Sequence, residues 1–490
     1  MTYRGRRLLF GWLLPLAAAG VLCASPGLAQ PAPGDGELLR QARQELRQRE
    51  FAQAQQHLQQ LLARPGLEPE LEEQAQAELE RLSRRFTVHT RRIGLLAPLS
   101  GPYREIGEAF RRGAELALAA PGGPTVIVED TRGTPEGAAA AVERLVLGSG
   151  VVALLGPVGD HECRAAGLAA AELEVPILLL GSAPELPGLS PWIFRHRVTP
   201  ADQARAIAYH ALFDLGIRTF AILFPDDEYG RVMMNAFWDE VDRGGGEVRG
   251  AEAYPAKGAQ ADAAIRRLIG GTGDPRIRPD PFEIRRGEKK VAYQPLVDFE
   301  ALFLPETPRR ARQILSQLHF YDVRLNTGGA TGQVRAAHAA VQVLGPGSWN
   351  GEAIARGAEP VVQNAHFPGS FVPQSARPAV LRFLQSYRSR YGRPPNELEA
   401  QAYDAAGWLW VAWQRGAAQG RPALQQALFA VGGFLGVTGE VRVLPDGGTH
   451  TSLTILQVQG KDVVPAVYGS DRARGPASGS PPPAPAIRLR

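Results

Sequence analysis

His161, Glu162 and Cys163 are the residues whose types first suggest chemistry, because imidazole, carboxylate and thiolate are all metal ligands. Consecutive ligands on one short stretch point in different directions, and no second His/Cys pair lies near in sequence, so a loop cap is the expectation. Asp226, Asp227 and Glu228 offer hard oxygen ligands, yet a solvated acidic turn before a helix N-terminus accounts for them equally. The glycine-rich stretch 328–332 lacks the Lys-Ser/Thr of a phosphate loop, no G-x-G-x-x-G follows a strand, and there is no G-x-S-x-G elbow. Catalysis is therefore the function class the sequence supports least. Neither a metal nor another cofactor is expected.

The elements that would position a binding site are clearer. Arg92 to Ala119 packs a strand, a turn and a helix together: Ile93 to Ala97 is a short apolar run, Ser100, Gly101 and Pro102 break it, and Ile106, Phe110, Ala114, Ala117 and Leu118 return at helical spacing. In open α/β sheets ligands settle beyond the carboxyl ends of strands, so the loop Leu99 to Tyr103 is a candidate binding surface. Strands at Thr125 to Val128, Val151 to Leu155 and Pro176 to Leu180 continue the alternation, with helices between them. A second α/β set starts at the helix Pro200 to Leu215 and the strand Thr219 to Phe224. Two such sets imply an α/β protein of two doubly wound lobes with a cleft between them. Stretches 270–295 and 326–338 depart from the pattern and read as insertions. The tail 468–490 cannot bury enough apolar surface to order itself.

The N-terminus has the anatomy of an export signal: Arg4, Arg6 and Arg7, an apolar core from Leu8 to Leu22, and a small-residue site ending at Ala29. A periplasmic location follows, with cleavage near Ala29. Lipid anchoring through Cys23 is disfavoured because Leu22, not a small residue, precedes it. Of the two cysteines only Cys163 would remain, so no intrachain disulfide supports the fold. The formal charge of +4 sits in the signal and the tail, which leaves a nearly neutral body and sets nucleic acid aside as a partner. Between the signal and Arg85, helices are expected at Glu37 to Arg49, Phe51 to Ala63 and Glu68 to Arg84. Their apolar stripe is too large for a lone helical hairpin to bury. The first pair looks like a tetratricopeptide-type unit, and a partner-binding face and a structural collar both remain open.

The order and spacing of IGLLAPLSGPYREIGEAFRRGAELAL, VVALLGPVG, EVPILLLGSA, WIFRHRVTPADQARAIAYHAL and FPDDEYGRVMMNAF resemble type 1 periplasmic binding proteins of the leucine/isoleucine/valine-binding class. DFEALFLPE, the segment from HFYDV to VQVLGPGSWNG, and NELEAQAYDAA are most similar to the penicillin-binding protein activator family, whose members place tetratricopeptide-like helices first. The resemblance implies lobe I at 91–198 and 358–435 and lobe II at 199–357 and 436–467, behind a helical region at 30–86, with crossings near Arg197, Gly357 and Gly436. It implies a cleft lined by Ser100, Gly101, Tyr103, Gly156, Asp160, His161, Ser182, Ala183, Tyr229 and Glu306. Tyr229 and Glu306 match a second-lobe pair that closes over ligand. Asp160 and His161 stand where a serine is usual, Pro184 replaces a threonine, leaving Ser182 as the nearest hydroxyl, and Ile106 stands near a usual aromatic. Asp160 would repel a ligand carboxylate. Two readings of the cleft follow: a ligand not held as a free amino acid is, or a vestigial cleft in which Asp160 caps a helix starting near Cys163. The implied function is a non-enzymatic accessory factor acting on a cell-wall synthase. The alternative is a receptor for branched-chain or related amino acids feeding an ABC transporter permease.

Overall fold

A computed structural model describes residues 34–119, 122–257, 261–270, 295–328, 340–356 and 359–466. The export signal, most of both insertions, Gly357 and the tail lie outside the described residues. The chain divides into two compact units, one through Ser83 and one from Arg84.

The first unit is helical, built from α1 (Asp35–Gln48), α2 (Phe51–Leu62) and the greater part of α3 (Pro69–Phe86). Arg49 takes the left-handed conformation that ends α1, so α2 turns back and Leu38, Leu39 and Ala42 meet Leu58 and Leu61. α3 supplies Ala75, with Leu71 and Leu79, to the cluster that two helices alone leave uncovered. Inside it the buried Glu45 accepts from His57 at 2.8 Å.

The second unit holds two α/β sheets, one parallel and one mixed, and a small antiparallel sheet. Lobe I contains β1 (His89–Ala97), α4 (Arg104–Leu118), β2 (Thr125–Asp130), α5 (Pro135–Glu143), β3 (Val151–Leu155), α6 (Asp160–Glu172), β4 (Ile177–Leu179) and β5 (Ile193–Arg195). Its strands run parallel in the order β2-β1-β3-β4-β5. Lobe II contains α7 (Pro200–Tyr209), β6 (Thr219–Pro225), α8 (Glu228–Arg243), β7 (Glu247–Tyr254), α9 (Asp262–Leu268), β8 (Ala301–Phe303), α10 (Pro308–Phe320), β9 (Gln342–Leu344), α11 (Glu352–Ala355) and β10 (His366–Gly369). The chain then returns to lobe I as α12 (Pro378–Tyr391), α13 (Glu397–Gly416) and α14 (Arg421–Ala430), forms the strands β11 (Gly433–Leu435), β12 (Glu440–Val443) and β13 (Thr449–Thr451), and ends as β14 (Thr454–Gln459) and β15 (Asp462–Pro465). β14 and β15 join antiparallel to the far side of β10, which completes the lobe II order β15-β14-β10-β9-β8-β6-β7.

Both sheets are covered on both faces, which is why their strands read as continuous apolar runs. In lobe I, Ile93, Leu95 and Ala97 meet α4, α13 and α14, while Leu96 points the other way among α5 and α6. In lobe II, Ala301 and Phe303 face α7 and α8, and Leu302 and Leu304 face α9 and α10.

The crossings differ from the expectation in two places. The first lies at residues 196–199, beside Arg197. β10 pairs with β9 and β14 in the lobe II sheet, so the second crossing follows Gly369 and not the vicinity of Gly357. The third follows Thr451; Gly436 lies instead in the turn between β11 and β12, part of a separate three-stranded antiparallel sheet. Short strands carry too few apolar residues to declare their sheet, and long-range pairing assigns them.

Candidate functional site

The carboxyl ends of the parallel strands carry the loops that matter. After β1, Leu99, Ser100 and Gly101 curl over Asp130, whose Oδ1 accepts from the backbone N–H groups of Leu99 and Arg132, each at 2.8 Å. Burial pushes this carboxyl up, but hydrogen bonds from Ser100, Arg132 and Leu99 outweigh it and hold Asp130 below the usual range. Gly101 has φ 74°, which glycine adopts without strain. The loop leaves Tyr103 52% and Ile106 44% exposed.

After β3, Gly156 sits where nothing larger fits: its φ is 91°, and an added Cβ would lie 2.2 Å from the Leu96 carbonyl oxygen and 2.8 Å from the Phe110 ring. Gly156→Ala is expected to destabilise lobe I by about 2–3 kcal/mol, from the backbone clash and the left-handed φ together. Urea unfolding of the two proteins measures it, and equal midpoints would refute the close approach.

The α6 N-terminus sorts the suspected metal ligands apart. His161 is exposed, Glu162 is buried and accepts from the Thr131 hydroxyl, and the Cys163 Sγ is buried and donates to the Pro157 carbonyl at 3.3 Å. Burial, then the neighbouring Asp160 and Glu162, pushes the Cys163 thiol up, so it stays protonated. Among the described residues no three His, Cys, Asp or Glu side chains gather as a metal site. Asp160 is the first residue of α6 and not the cap of a helix starting near Cys163. Its Oδ1 accepts from two successive backbone N–H groups in the loop after β4, those of Ser182 and Ala183, the latter at 3.2 Å.

Arg195 and Arg197 end β5 and begin the first crossing. Arg195 is 7% exposed, with Nε and Nη1 buried and without a partner among the described residues, and burial lowers its pKa. Asp160 lies within electrostatic reach of both guanidiniums. Glu397, in the first turn of α13, accepts from the Ser370 N–H at 3.3 Å and from its hydroxyl, and also faces Arg197. Residues of the first and second crossings thus meet around one carboxylate.

On lobe II, Asp227 caps α8 by accepting from the Gly230 N–H at 2.8 Å, and Asp226 pairs with Arg231 at 2.7 Å. That acidic run is a helix cap and a surface ion pair, not a cation site. Tyr229 is 37% exposed, and desolvation of its hydroxyl, with Glu306 and Asp227 near, raises its pKa; Ser348 is its hydrogen-bond neighbour. Glu306 is buried and fully engaged: Oε2 takes Tyr254 Oη at 2.9 Å and Arg310 Nη1 at 3.4 Å, while Oε1 takes the Thr307 N–H at 2.7 Å and its hydroxyl at 3.1 Å. Its backbone oxygen accepts from Trp349 Nε1 at 2.7 Å. Glu306 is therefore held within lobe II, within electrostatic reach of the Tyr229 hydroxyl.

The structure brings Tyr229 beside Glu306 and puts Asp160 on Ser182 and Ala183. Among the described residues no hydrogen bond joins the lobe I loops at 98–106, 156–161 and 181–185 to the lobe II loops at 226–229, 304–307 and 346–350. Tyr103, Ile106 and Tyr229 are exposed. Arg195, Arg197, Ser348 and Glu397 were not among the residues expected at the site. The Arg-x-Arg just before the crossing was the available signal for the first two.

Two α/β lobes joined by three crossings define a protein of the binding-protein class. The periplasmic binding protein family model matches residues 90–271 and 326–462, and the chain belongs to that family. Among solved structures, the chain is similar to the branched-chain amino acid transporter substrate-binding protein LivJ from Streptococcus pneumoniae, solved with isoleucine: 21% identity over 76% of this chain and 98% of that one, TM-score 0.55. An ABC transporter substrate-binding protein from Sphaerobacter thermophilus matches at 21% identity over 77% and 96%, TM-score 0.59. A solute-binding protein of an ABC transporter from R. palustris, solved with benzoate, matches at 17% over 78% and 98%, TM-score 0.53. At these identities the likeness is one of fold. No curated protein matches the chain. No helix among the described residues is long and apolar enough to cross a membrane.

Proposed function

We propose that the protein is a non-enzymatic solute receptor of the cell envelope, exported by its N-terminal signal. It takes a small solute related to the branched-chain amino acids between its lobes and delivers it to an ABC transporter permease. What supports this reading is the two-lobed family fold together with exposed Tyr103 and Ile106 after β1 in lobe I and exposed Tyr229 at the start of α8 in lobe II, beside loops that no hydrogen bond ties together among the described residues. Hinge closure buries such side chains against a ligand and needs placed donors, not an activated nucleophile. Calorimetry with a panel of amino acids, their amides and small aromatic acids tests it: micromolar binding of at least one member is expected, and silence across the panel overturns it.

Tyr229→Ala is expected to weaken the bound member at least about tenfold, because a half-exposed aromatic that closes over ligand contributes both area and a polar tip. Unchanged affinity in that variant would remove Tyr229 from the site.

A second reading is favoured by one feature, the helices α1–α3, which precede the residues matched by the family model. In it the helices carry a protein contact, with a cell-wall synthase as partner. Co-purification that survives Tyr229→Ala but not removal of residues 34–83 would favour it.

A further inference from the structure

We propose that Asp160 is a built-in carboxylate seated on the backbone amides of the loop after β4, so that the protein's ligand meets this corner through an N–H or O–H group and not through a carboxylate of its own. The inference rests on the receptor reading for its statement about ligand; the statement about Asp160 stands without it. Two consecutive backbone N–H groups at the carboxyl end of a parallel strand, those of Ser182 and Ala183 after β4, form a natural seat for an anionic oxygen. Here Asp160 Oδ1 fills that seat from the same lobe, twenty-two residues earlier in the chain.

The fit is close. A Cβ added at Gly181 would lie 2.9 Å from both Asp160 Oδ1 and Cys163 Sγ, so the loop is shaped around the carboxylate. Arg195, with two buried guanidinium nitrogens that have no partner among the described residues, and Arg197 both lie within electrostatic reach of Asp160, the first shared with Asp202, Asp446 and Glu185 and the second with Glu397. A second carboxylate would find both amides taken and a like charge in contact. Oδ1 receives both bonds, while Asp160 itself is exposed, so Oδ2 is open to a donor: an amine, an amide or a hydroxyl. The ligand class is then a small solute with a neutral or cationic donor end.

The test is chemical rescue by a free carboxylate, which needs no knowledge of the ligand. The full-length protein and its Asp160→Ala and Asp160→Asn variants are melted in sodium acetate and in sodium chloride at matched ionic strength. Asp160→Ala is expected to melt several degrees lower in chloride and to recover about 2 °C or more in acetate, as the free anion fills the vacated seat. The parent is expected to be indifferent. Asp160→Asn, whose amide oxygen still accepts both N–H groups, is expected to be indifferent as well. Should Asp160→Ala not fold, Asp160→Ser vacates the same seat with a shorter side chain and takes its place. Acetate that leaves the vacated variant unmoved, or that stabilises the parent equally, overturns the proposal.

The ligand half is read separately by calorimetry. Against an amino acid and its amide, the parent is expected to prefer the amide at least about tenfold, and Asp160→Ala to lose or reverse that preference. Rescue by acetate with no binding of any solute sinks the receptor reading alone. A parent that prefers the free acid sinks this inference alone.

Discussion

Arg421→Ala destabilises lobe I by about 3 kcal/mol and lowers the first thermal transition by several degrees. Arg421 opens α14 and is buried, with no carboxylate partner among the described residues. Its Nε and Nη2 donate to the Val151 carbonyl at 3.2 and 3.0 Å, and Nη1 donates to the Arg85 carbonyl at 2.9 Å. Burial, together with the nearby Arg85 charge, lowers its pKa to about 10, which still leaves it charged at neutral pH. One guanidinium thus fastens α14 to the start of β3 and to the segment leading into β1. Truncation leaves two carbonyls short of donors at a buried site and removes the long stem as well, and each unmet group costs about 1–3 kcal/mol. Arg421→Met separates the two losses, since it restores apolar volume and not the donors. Urea unfolding followed by tryptophan fluorescence reads both variants; Trp408, buried in the same cluster, reports on this lobe. A methionine variant as stable as the parent would mean that packing, and not hydrogen bonding, is what Arg421 supplies.

Three buried histidines withdraw stability as pH drops from about 6.5 toward 4, against the opposite contribution of Asp404, whose carboxyl burial pushes up to about 6. His366, on β10, is pushed down to about 4 by burial and by His210; His196 is pushed down to about 3 by burial and by its neighbours Arg195 and Arg197; burial also lowers His210, against the pull of Asp214. Asp214 accepts from His210 Nδ1 at 2.8 Å, which selects that tautomer and leaves His210 Nε2 to accept from His366 Nδ1 at 3.0 Å. A proton on His366 Nε2 would put a charge inside the lobe II core beside a second imidazole. Each of these histidines has a folded pKa below its unfolded value, so the unfolded chain takes up the proton first. Stability is then fully present above the unfolded pKa near 6.5, declines as pH falls toward the folded value, and levels below it. For His366 alone the loss reaches about 3 kcal/mol by pH 4. Unfolding midpoints across this range in the parent and in His366→Gln test it: the variant is expected to show a shallower slope. Parallel curves would exclude His366 as the titrating group.

The architecture was legible because burial on both faces leaves a local signature. Val151 to Leu155 is apolar without interruption, the helices between strands repeat at their own period, and the alternation by itself determined two largely parallel sheets whose strand-end loops hold Ser100, Gly156, Ser182 and Tyr229. The placement of β10 was not legible: four residues with a histidine, a proline and a glycine do not announce a sheet, and only pairing with β9 and β14 assigns them to lobe II. The polar partnerships were hidden for a related reason. Whether Asp160 caps a helix, faces a ligand or sits on the amides of Ser182 and Ala183 depends on a distance between two loops twenty-two residues apart, which periodicity does not report. Glu306 reads as a ligand-facing acid until Tyr254, fifty-two residues earlier, and Arg310 are found on its carboxylate. Apolar pattern is a property of each segment and is written locally; a charged side chain acquires its role from whichever distant segment the fold carries to it, and that only the tertiary structure decided.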